Sequence, residues 1–115
     1  MAAEEMLFES GMGVDLHGAD STKAARRAVE DAVRRNSLLF VRTLSRGRRI
    51  PLTVEVTVGV PNPESVDTAA VAAALPVGEV RVRCEAGGLA VGVDNGERIV
   101  LAVAAVVVRA DLDGA

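Results

Sequence analysis

The strongest constraint on the fold is an uninterrupted run of apolar residues near the C-terminus, residues 99–108. The run is too short to cross a membrane as a helix, and its many valines favour a β-strand. Because alternate residues of a strand point to opposite sides of the sheet, this strand carries apolar side chains on both faces. The chain must therefore fold so that both faces of this strand are covered.

The composition limits how much the chain can bury by itself. Its 115 residues are enough for one domain, and we expect a single domain over residues 1–115. Half of the residues are hydrophobic, but the aromatic ones are only two phenylalanines. A core of valine and alanine buries little area per residue, so a second copy of the chain that covers more surface would add stability.

The charge and cysteine content argue against several classes of protein. A net charge of -3 offers no general attraction for nucleic acid or for an anionic membrane. The single cysteine, Cys84, excludes a disulfide framework within the chain, and the acidic residues near Met1 do not resemble a signal peptide. We therefore expect a cytoplasmic protein that contacts no membrane, and the net charge argues against nucleic acid as a partner.

The first predicted strand has one apolar and one polar side. The apolar side consists of Met6, Phe8, Met12, Val14 and Leu16. The opposite side consists of Glu9, Gly11, Gly13, Asp15 and His17. Glycines at these positions leave room for a ligand or for another backbone to approach the strand.

A helix follows, because the apolar residues now recur at spacings of three and four. Its stripe consists of Ala24, Ala25, Ala28, Val29, Ala32 and Val33. Asp20 or Ser21 is the predicted N-cap and Asn36 the predicted stop. Opposite charges four residues apart, such as Arg27 with Asp31, are expected to pair on the outer surface of the helix.

The remaining pattern completes an α+β fold. Strong alternation predicts a strand over residues 50–60, and Asn62 with Pro63 predicts a helix that runs to about Leu75. Residues 79–93 are expected to stay extended past a bend at Gly87 and Gly88, and the last strand covers residues 97–110. The predicted order is β-α-β-α-β-β, with a mixed sheet of about four strands and two helices on one face. The other face then needs a cover, and we expect a homo-oligomer in which a second copy supplies it.

Residues 11–18 contain three glycines, an aspartate and the one histidine of the chain, and they form the candidate site. On a strand, Asp15 and His17 lie about 6 to 7 Å apart on one face. An imidazole oriented by a carboxylate can act as a general acid or base, and Glu9 is available as a second carboxylate. The candidate catalytic residues are therefore Asp15, His17 and Glu9. One histidine and two carboxylates are a weak metal signature, so no metal site is predicted and any cofactor stays unknown.

Binding of a small anion is a second use of the same stretch. The residues after Gly18 lead into the N-terminus of the first helix, where free N–H groups favour phosphate or carboxylate, and Lys23 is nearby. The spacing matches neither a P-loop nor a dinucleotide fingerprint. The candidate ligand-binding residues are Gly11, Gly13, Gly18, Lys23, Arg81 and Arg83. For the two arginines, a salt-bridge network with Glu9, Glu55 or Asp15 is the alternative to an anion pocket.

A purely structural interpretation stays open for each candidate. In that interpretation the glycines permit a bulge or a tight turn, and Asp15 and His17 hydrogen-bond to each other or to backbone groups. Cys84 lies on the inward side of its strand, where a cysteine is usually a small buried hydrophobe. The arginines of residues 42–49 form either a solvated loop or a patch for RNA.

Residues 11–18, followed by Asp20, Thr22, Lys23, Ala24 and Ala25, resemble a small family of conserved hypothetical proteins with a Gly-x-Gly-x-Asp-x-His-Gly motif near the N-terminus. The resemblance extends through residues 54–61 and 85–89. That family has no assigned function, so the resemblance implies a defined site but no reaction. It assigns no role to residues 42–49.

Together these patterns predict a cytoplasmic α+β homo-oligomer that holds a small, anionic metabolite at residues 11–18, near a subunit boundary. Whether a reaction is catalysed there stays open. The alternative is a non-catalytic structural or assembly protein in which the same motif shapes an oligomer interface.

Overall fold

The computed structural model describes residues 4–34, 51–75, 78–93 and 96–111. The first half contains β1 (Glu4–Asp15) and α1 (Ser21–Val33). The second half contains β2 (Leu52–Val60), a short 3-10 turn (Pro63–Ser65), α2 (Thr68–Ala72), β3 (Glu79–Ala86), β4 (Leu89–Gly92) and β5 (Arg98–Asp111). The predicted α+β class with a mixed sheet and two helices is confirmed.

The apolar strand β5 lies inside the sheet, as its composition requires. It is antiparallel to β1 on one side and to β2 on the other, and β2 is parallel to β3, so the order is β1-β5-β2-β3. The short β4 also pairs with β5, through residues 98–101 of β5. Val103 of β5 lies between Met12 of β1 and Gly59 of β2, which sets the register of the three strands.

Within the described residues the sheet has five strands, where about four were predicted, because the chain turns between β3 and β4. Gly88 has a φ of +62°, a conformation that side chains disfavour, and a Cβ there would overlap the carbonyl oxygen of Leu101. The extended segment predicted over residues 79–93 is therefore two strands. The first of them pairs with β2, and the second, after the turn, pairs with β5.

Both helices cover one face of the sheet, which we call the inner face. α1 packs against β1 and β5, and α2 packs against β3. The buried core consists mainly of Val54, Val56, Val58 and Val60 of β2, Val100, Ala102, Ala104, Val106 and Val108 of β5, and Ala24, Ala25, Ala28, Val29 and Ala32 of α1. Because the helix residues are small, α1 lies close to the strands.

The predicted N-terminal boundary of α1 is confirmed. The side chain of Asp20 accepts a hydrogen bond from the backbone N–H of Lys23 at 3.1 Å, so Asp20 is the N-cap. The helix ends at Val33, and the predicted stop at Asn36 lies outside the described residues. The prediction that Arg27 pairs with Asp31 is wrong, because both side chains bond to β1 instead.

The second predicted helix is broken into two pieces. Asn62 makes no capping hydrogen bond with its side chain, and the 3-10 turn ends at Val66, whose backbone is extended. α2 begins afresh at the N-cap Asp67, whose side chain accepts from the N–H of Ala70. The N–H of Asp67 donates to Thr22 on α1 at 3.0 Å, so the break fixes this segment against the first helix.

The face of the sheet opposite the helices, here the outer face, is uncovered among the described residues. Phe8 and Met12 are 64% and 61% exposed, and Val103 in the middle of β5 is 40% exposed. The second apolar side of β5 therefore lacks the cover that its sequence requires. In the described part of the chain, no helix is long and apolar enough to cross a membrane.

Candidate functional site

The backbone of α1 fills the space beside the two glycines of β1 in the candidate site. A Cβ on Gly11 would overlap the carbonyl oxygen of Ala28 and come within 2.5 Å of the nitrogen of Ala32. A Cβ on Gly13 would overlap the backbone of Ala24 and Ala28 in the same way. Of the two occupants that the glycines allow, a ligand or another backbone, the structure contains the backbone of α1.

Asp15 joins the end of β1 to the start of α1. It is 3% exposed, and its Oδ2 accepts a hydrogen bond from the backbone N–H of Asp20 at 2.8 Å. Its Oδ1 lies 3.5 Å from Nη1 of Arg27, which also donates to the carbonyl oxygen of Val14 at 2.6 Å. The carboxylate is thus engaged by the turn and by the helix that it holds in place.

His17 does not contact Asp15 within this network. Its side chain is 82% exposed, and Nδ1 lies 2.9 Å from Oε2 of Glu97, just before β5. The two residues are 80 positions apart, so no local pattern in the sequence indicates this pair. The structure therefore separates the predicted acid-base pair: Asp15 points into the molecule and His17 lies at the surface beside another carboxylate.

The other candidates of this region occupy different surroundings. Glu9 is half-buried on the inner face, paired in register with Val106 of β5. Gly18 is exposed and has a φ of +82°, which suits the tight turn from strand to helix. Lys23 is exposed on the first turn of α1.

The N-terminus of α1 already has anionic partners. The carboxylate of Asp15 binds the N–H of Asp20, and the carboxylate of Asp20 binds the N–H of Lys23. Two negative groups therefore occupy the positions that an anionic ligand would take at the positive end of the helix dipole. The geometry here stabilises a helix start.

Arg81 and Arg83 lie on the outer face, where Arg81 is in register with Glu55 of β2, so of the three predicted carboxylate partners the structure places Glu55 beside them and not Glu9 or Asp15. Each arginine contacts a neighbour on β3: Arg81 lies 3.2 Å from Glu79, and Arg83 lies 3.5 Å from Glu85. The error has a simple cause. The polar side of β1 faces the helices, whereas the polar side of β3 faces away from them.

The remaining candidates add no reactive centre. Cys84 is half-buried on the inner face, and burial raises the pKa of its thiol, which disfavours the nucleophilic thiolate. Within the described ranges, no three His, Cys, Asp or Glu side chains are grouped so that they could hold a metal ion. Arg42, Arg46, Arg48 and Arg49 lie outside the described residues.

Comparison with protein families identifies the chain. A model of the conserved hypothetical protein family Lin0512 matches residues 5–108. The chain belongs to the Lin0512 family. The matched span covers both helices and nearly all of the sheet, so the whole domain described above is the family's domain.

A solved relative agrees with this assignment. The crystal structure of an FtsZ-like protein of unknown function from Nostoc punctiforme PCC 73102 has 34% sequence identity to this chain and a TM-score of 0.74. The alignment covers 96% of this chain and 99% of the other. No curated protein matches the chain.

The outer face contains a feature that the sequence analysis missed. Rows of side chains cross the four long strands, because residues in register lie side by side. Three neighbouring rows are Phe8-Val107-Glu55-Arg81, Ser10-Ala105-Thr57-Arg83 and Met12-Val103-Gly59-Glu85. The middle row has smaller side chains on its first three strands, and a groove of about 390 Å³ lies along it and beside Gly59 and Gly87. Only the strand order, which no local pattern reveals, brings these residues together.

Proposed function

We propose that this protein is an assembly subunit that associates with a second copy of itself through the outer face of the sheet. The observation that carries the proposal is the exposed apolar surface on that face. It is formed by Phe8, Met12, Leu89, Val91 and Val103, which are between 40% and 64% exposed. Contiguous apolar surface of this kind on a folded domain marks an interaction site.

The size of the outer face suits a dimer interface. Four strands about 4.8 Å apart and about ten residues long present a surface on the order of 600 Å² in projection. The relief of the side chains adds to this area, and a standard interface buries about 800 Å² on each partner. A second copy would also cover the apolar side of β5 that the helices leave open.

The edges of the sheet favour association through the face. At the β1 edge, the N–H of Met12 donates to Oδ2 of Asp31 at 3.0 Å, and the carbonyl oxygen of Val14 accepts from Arg27. These helix side chains occupy backbone groups that an incoming strand would need. On the β3 edge, charged side chains alternate along the strand, which also discourages strand addition.

The charges on the outer face favour a second copy over a strongly charged partner. Three ion pairs lie there, Arg81 with Glu79, Arg83 with Glu85 and Arg109 with Glu55. Each of these charges is near one of opposite sign. In a two-fold interface every residue meets a residue of the same surface, so a patch that carries both signs can complement itself.

The motif at residues 11–18 has an indirect role in this proposal. It fixes α1 on the inner face and so keeps the outer face free for a partner. A small anionic ligand at the motif itself has less support, because Gly11, Gly13 and Asp15 are engaged by α1 and the turn before it. The cytoplasmic location expected from the sequence belongs to the same proposal.

Light scattering after size-exclusion chromatography tests the assembly. The wild-type chain of 11.9 kDa is expected at twice that mass or a higher multiple. Val103→Glu places a charge in the middle of the outer face and is expected to give a monomer that keeps its circular dichroism spectrum. Ala73→Glu, which adds the same charge on the exposed end of α2, is the matched control and should leave the mass unchanged.

Met12→Glu provides a second test on a different strand, in case Val103→Glu does not fold. A wild-type monomer would overturn the proposal. So would a folded Val103→Glu or Met12→Glu variant that keeps the oligomeric mass.

A further inference from the structure

The groove on the outer face has the shape and the groups of a small-molecule site. It is lined by Ser10, Thr57, Gly59, Glu85, Gly87 and Val103, among others. Its volume of about 390 Å³ is within the usual range for ligand sites. It lies in the middle of the proposed interface, so a second copy would form its roof.

The floor of the groove depends on a close approach of two glycines. A Cβ on Gly59 would lie 3.0 Å from Cγ2 of Val103 and 3.5 Å from the Cα of Gly87. A Cβ on Gly87 would in turn lie 3.2 Å from the Cα of Gly59. Side chains at these positions would fill this part of the groove, so the two glycines keep it open.

At one end of the groove, Glu85 lines the cavity and Arg83 lies just beside it, in contact with two lining residues, Glu85 and Thr57. Arg83 Nε lies 3.5 Å from Oε1 of Glu85, and Arg83 Nη2 lies 3.5 Å from Oγ1 of Thr57. Both distances are at the long limit for a hydrogen bond, and the Arg83 and Glu85 side chains are largely exposed. An exposed ion pair of this kind contributes little, so a ligand can replace it at small cost.

The rest of the groove is mainly apolar and also contains two hydroxyl groups. Val103 and Ala105 present methyl groups, and Ser10 and Thr57 present one hydroxyl each. A ligand that matches both parts needs a positive group for Glu85, a negative group for Arg83 and a small apolar body. An α-amino acid with a short aliphatic side chain has these three parts.

We propose that the groove binds a free α-amino acid with a small aliphatic side chain. The ammonium group pairs with Glu85, the carboxylate pairs with Arg83, and the side chain lies along Ala105 and Val103. This inference rests on the proposed assembly, because the second copy closes the groove and excludes water from the two ion pairs. In the closed groove without a ligand, Arg83 and Glu85 would each be buried with only a weak partner.

Titration calorimetry with L-valine tests the site on the intact protein. We expect saturable binding with a dissociation constant at or below about 1 mM, a strength within reach of a ligand of this size. N-acetyl-L-valine lacks the ammonium group and L-valinamide lacks the carboxylate, so each is expected to bind at least tenfold more weakly. Equal binding of either compound would overturn the proposed pairing.

Variants assign the two charges to residues. Arg83→Gln and Glu85→Gln are each expected to weaken the binding of L-valine at least tenfold. Arg34→Gln removes an exposed arginine at the end of α1, on the side of the sheet opposite the groove, and should leave binding within twofold. Loss of binding in Arg34→Gln alone would overturn the assignment.

The mass of the same samples by light scattering separates this inference from the proposed function. An oligomer that binds no L-valine overturns the amino acid site and leaves the assembly proposal standing. A wild-type monomer overturns the assembly proposal and, with it, the closed groove.

Discussion

The carboxylate of Asp15 accepts a 2.8 Å hydrogen bond from the backbone N–H of Asp20, five residues later. Asp15 is almost fully buried, and Arg27 lies 3.5 Å from its other oxygen. The bond closes the turn between β1 and α1 and places Asp20 as the N-cap of the helix. The aspartate of the motif therefore acts as a structural link between β1 and α1.

Replacing Asp15 tests this link. Asp15→Ala leaves the N–H of Asp20 without its acceptor and is expected to lower the free energy of unfolding by about 1–3 kcal/mol. Asp15→Asn keeps an oxygen acceptor and should lose less. Urea denaturation measures both, with Glu64→Ala at an exposed carboxylate as a control that stays within about 0.5 kcal/mol. A stable Asp15→Ala protein would contradict the structural role.

Gly13 tests the contact between β1 and α1. Gly13→Ala places a Cβ against the backbone of Ala24 and Ala28, and this overpacking is expected to cost about 1–3 kcal/mol or more. Gly92→Ala is the matched control, because a Cβ on Gly92 meets nothing within 4 Å. Its unfolding free energy should change by less than about 0.5 kcal/mol. Equal effects at the two glycines would contradict the packing of α1 described here.

Asp31 tests the protection of the β1 edge. Asp31→Ala frees the N–H of Met12, which is then available to pair with a strand of another molecule. We expect faster aggregation on heating, measured by light scattering and by thioflavin fluorescence. Glu30→Ala removes the neighbouring carboxylate of α1, which forms no hydrogen bond to the described part of β1, and should aggregate at the wild-type rate.

Cys84 gives a prediction that depends on pH. Burial raises the pKa of its thiol above the ordinary 9.0, so the folded protein keeps the thiol proton at pH values where the unfolded chain has lost it. The free energy of unfolding is therefore expected to fall as the pH rises above about 9, and this fall should be absent in Cys84→Ala. Reaction with a disulfide reagent at pH 8 should be slower in the folded protein than in denaturant. Equal rates would contradict the burial.

His17 tests the surface location of the histidine. Because His17 and Glu97 form an exposed pair, their coupling in a double-mutant cycle of His17→Ala and Glu97→Gln should be at most about 1 kcal/mol. The oligomeric mass of His17→Ala should equal that of the wild type. A coupling of several kcal/mol would show that the pair is desolvated in the assembled protein.

Local patterns in the sequence determined the elements of the fold. The alternation in β1, β2 and β5 and the three-four spacing in α1 depend only on the geometry of strands and helices, so they can be recognised residue by residue. The N-cap at Asp20 is local for the same reason. The break at Val66 was missed, because capping signals at Asn62 and Pro63 also fit one longer helix.

Only the tertiary structure decided which face of each strand is covered. Alternation separates the two sides of β1 but does not say which side meets a helix, and here the glycine side does, because α1 needs the space above Gly11 and Gly13. The apolar side with Phe8 and Met12 is consequently the open one. The polar side of β3 also faces away from the helices, so Arg83 and Glu85 lie on that open face, beside Thr57 and Ser10. Strand order and register are long-range properties, so no short stretch of the sequence contains this arrangement.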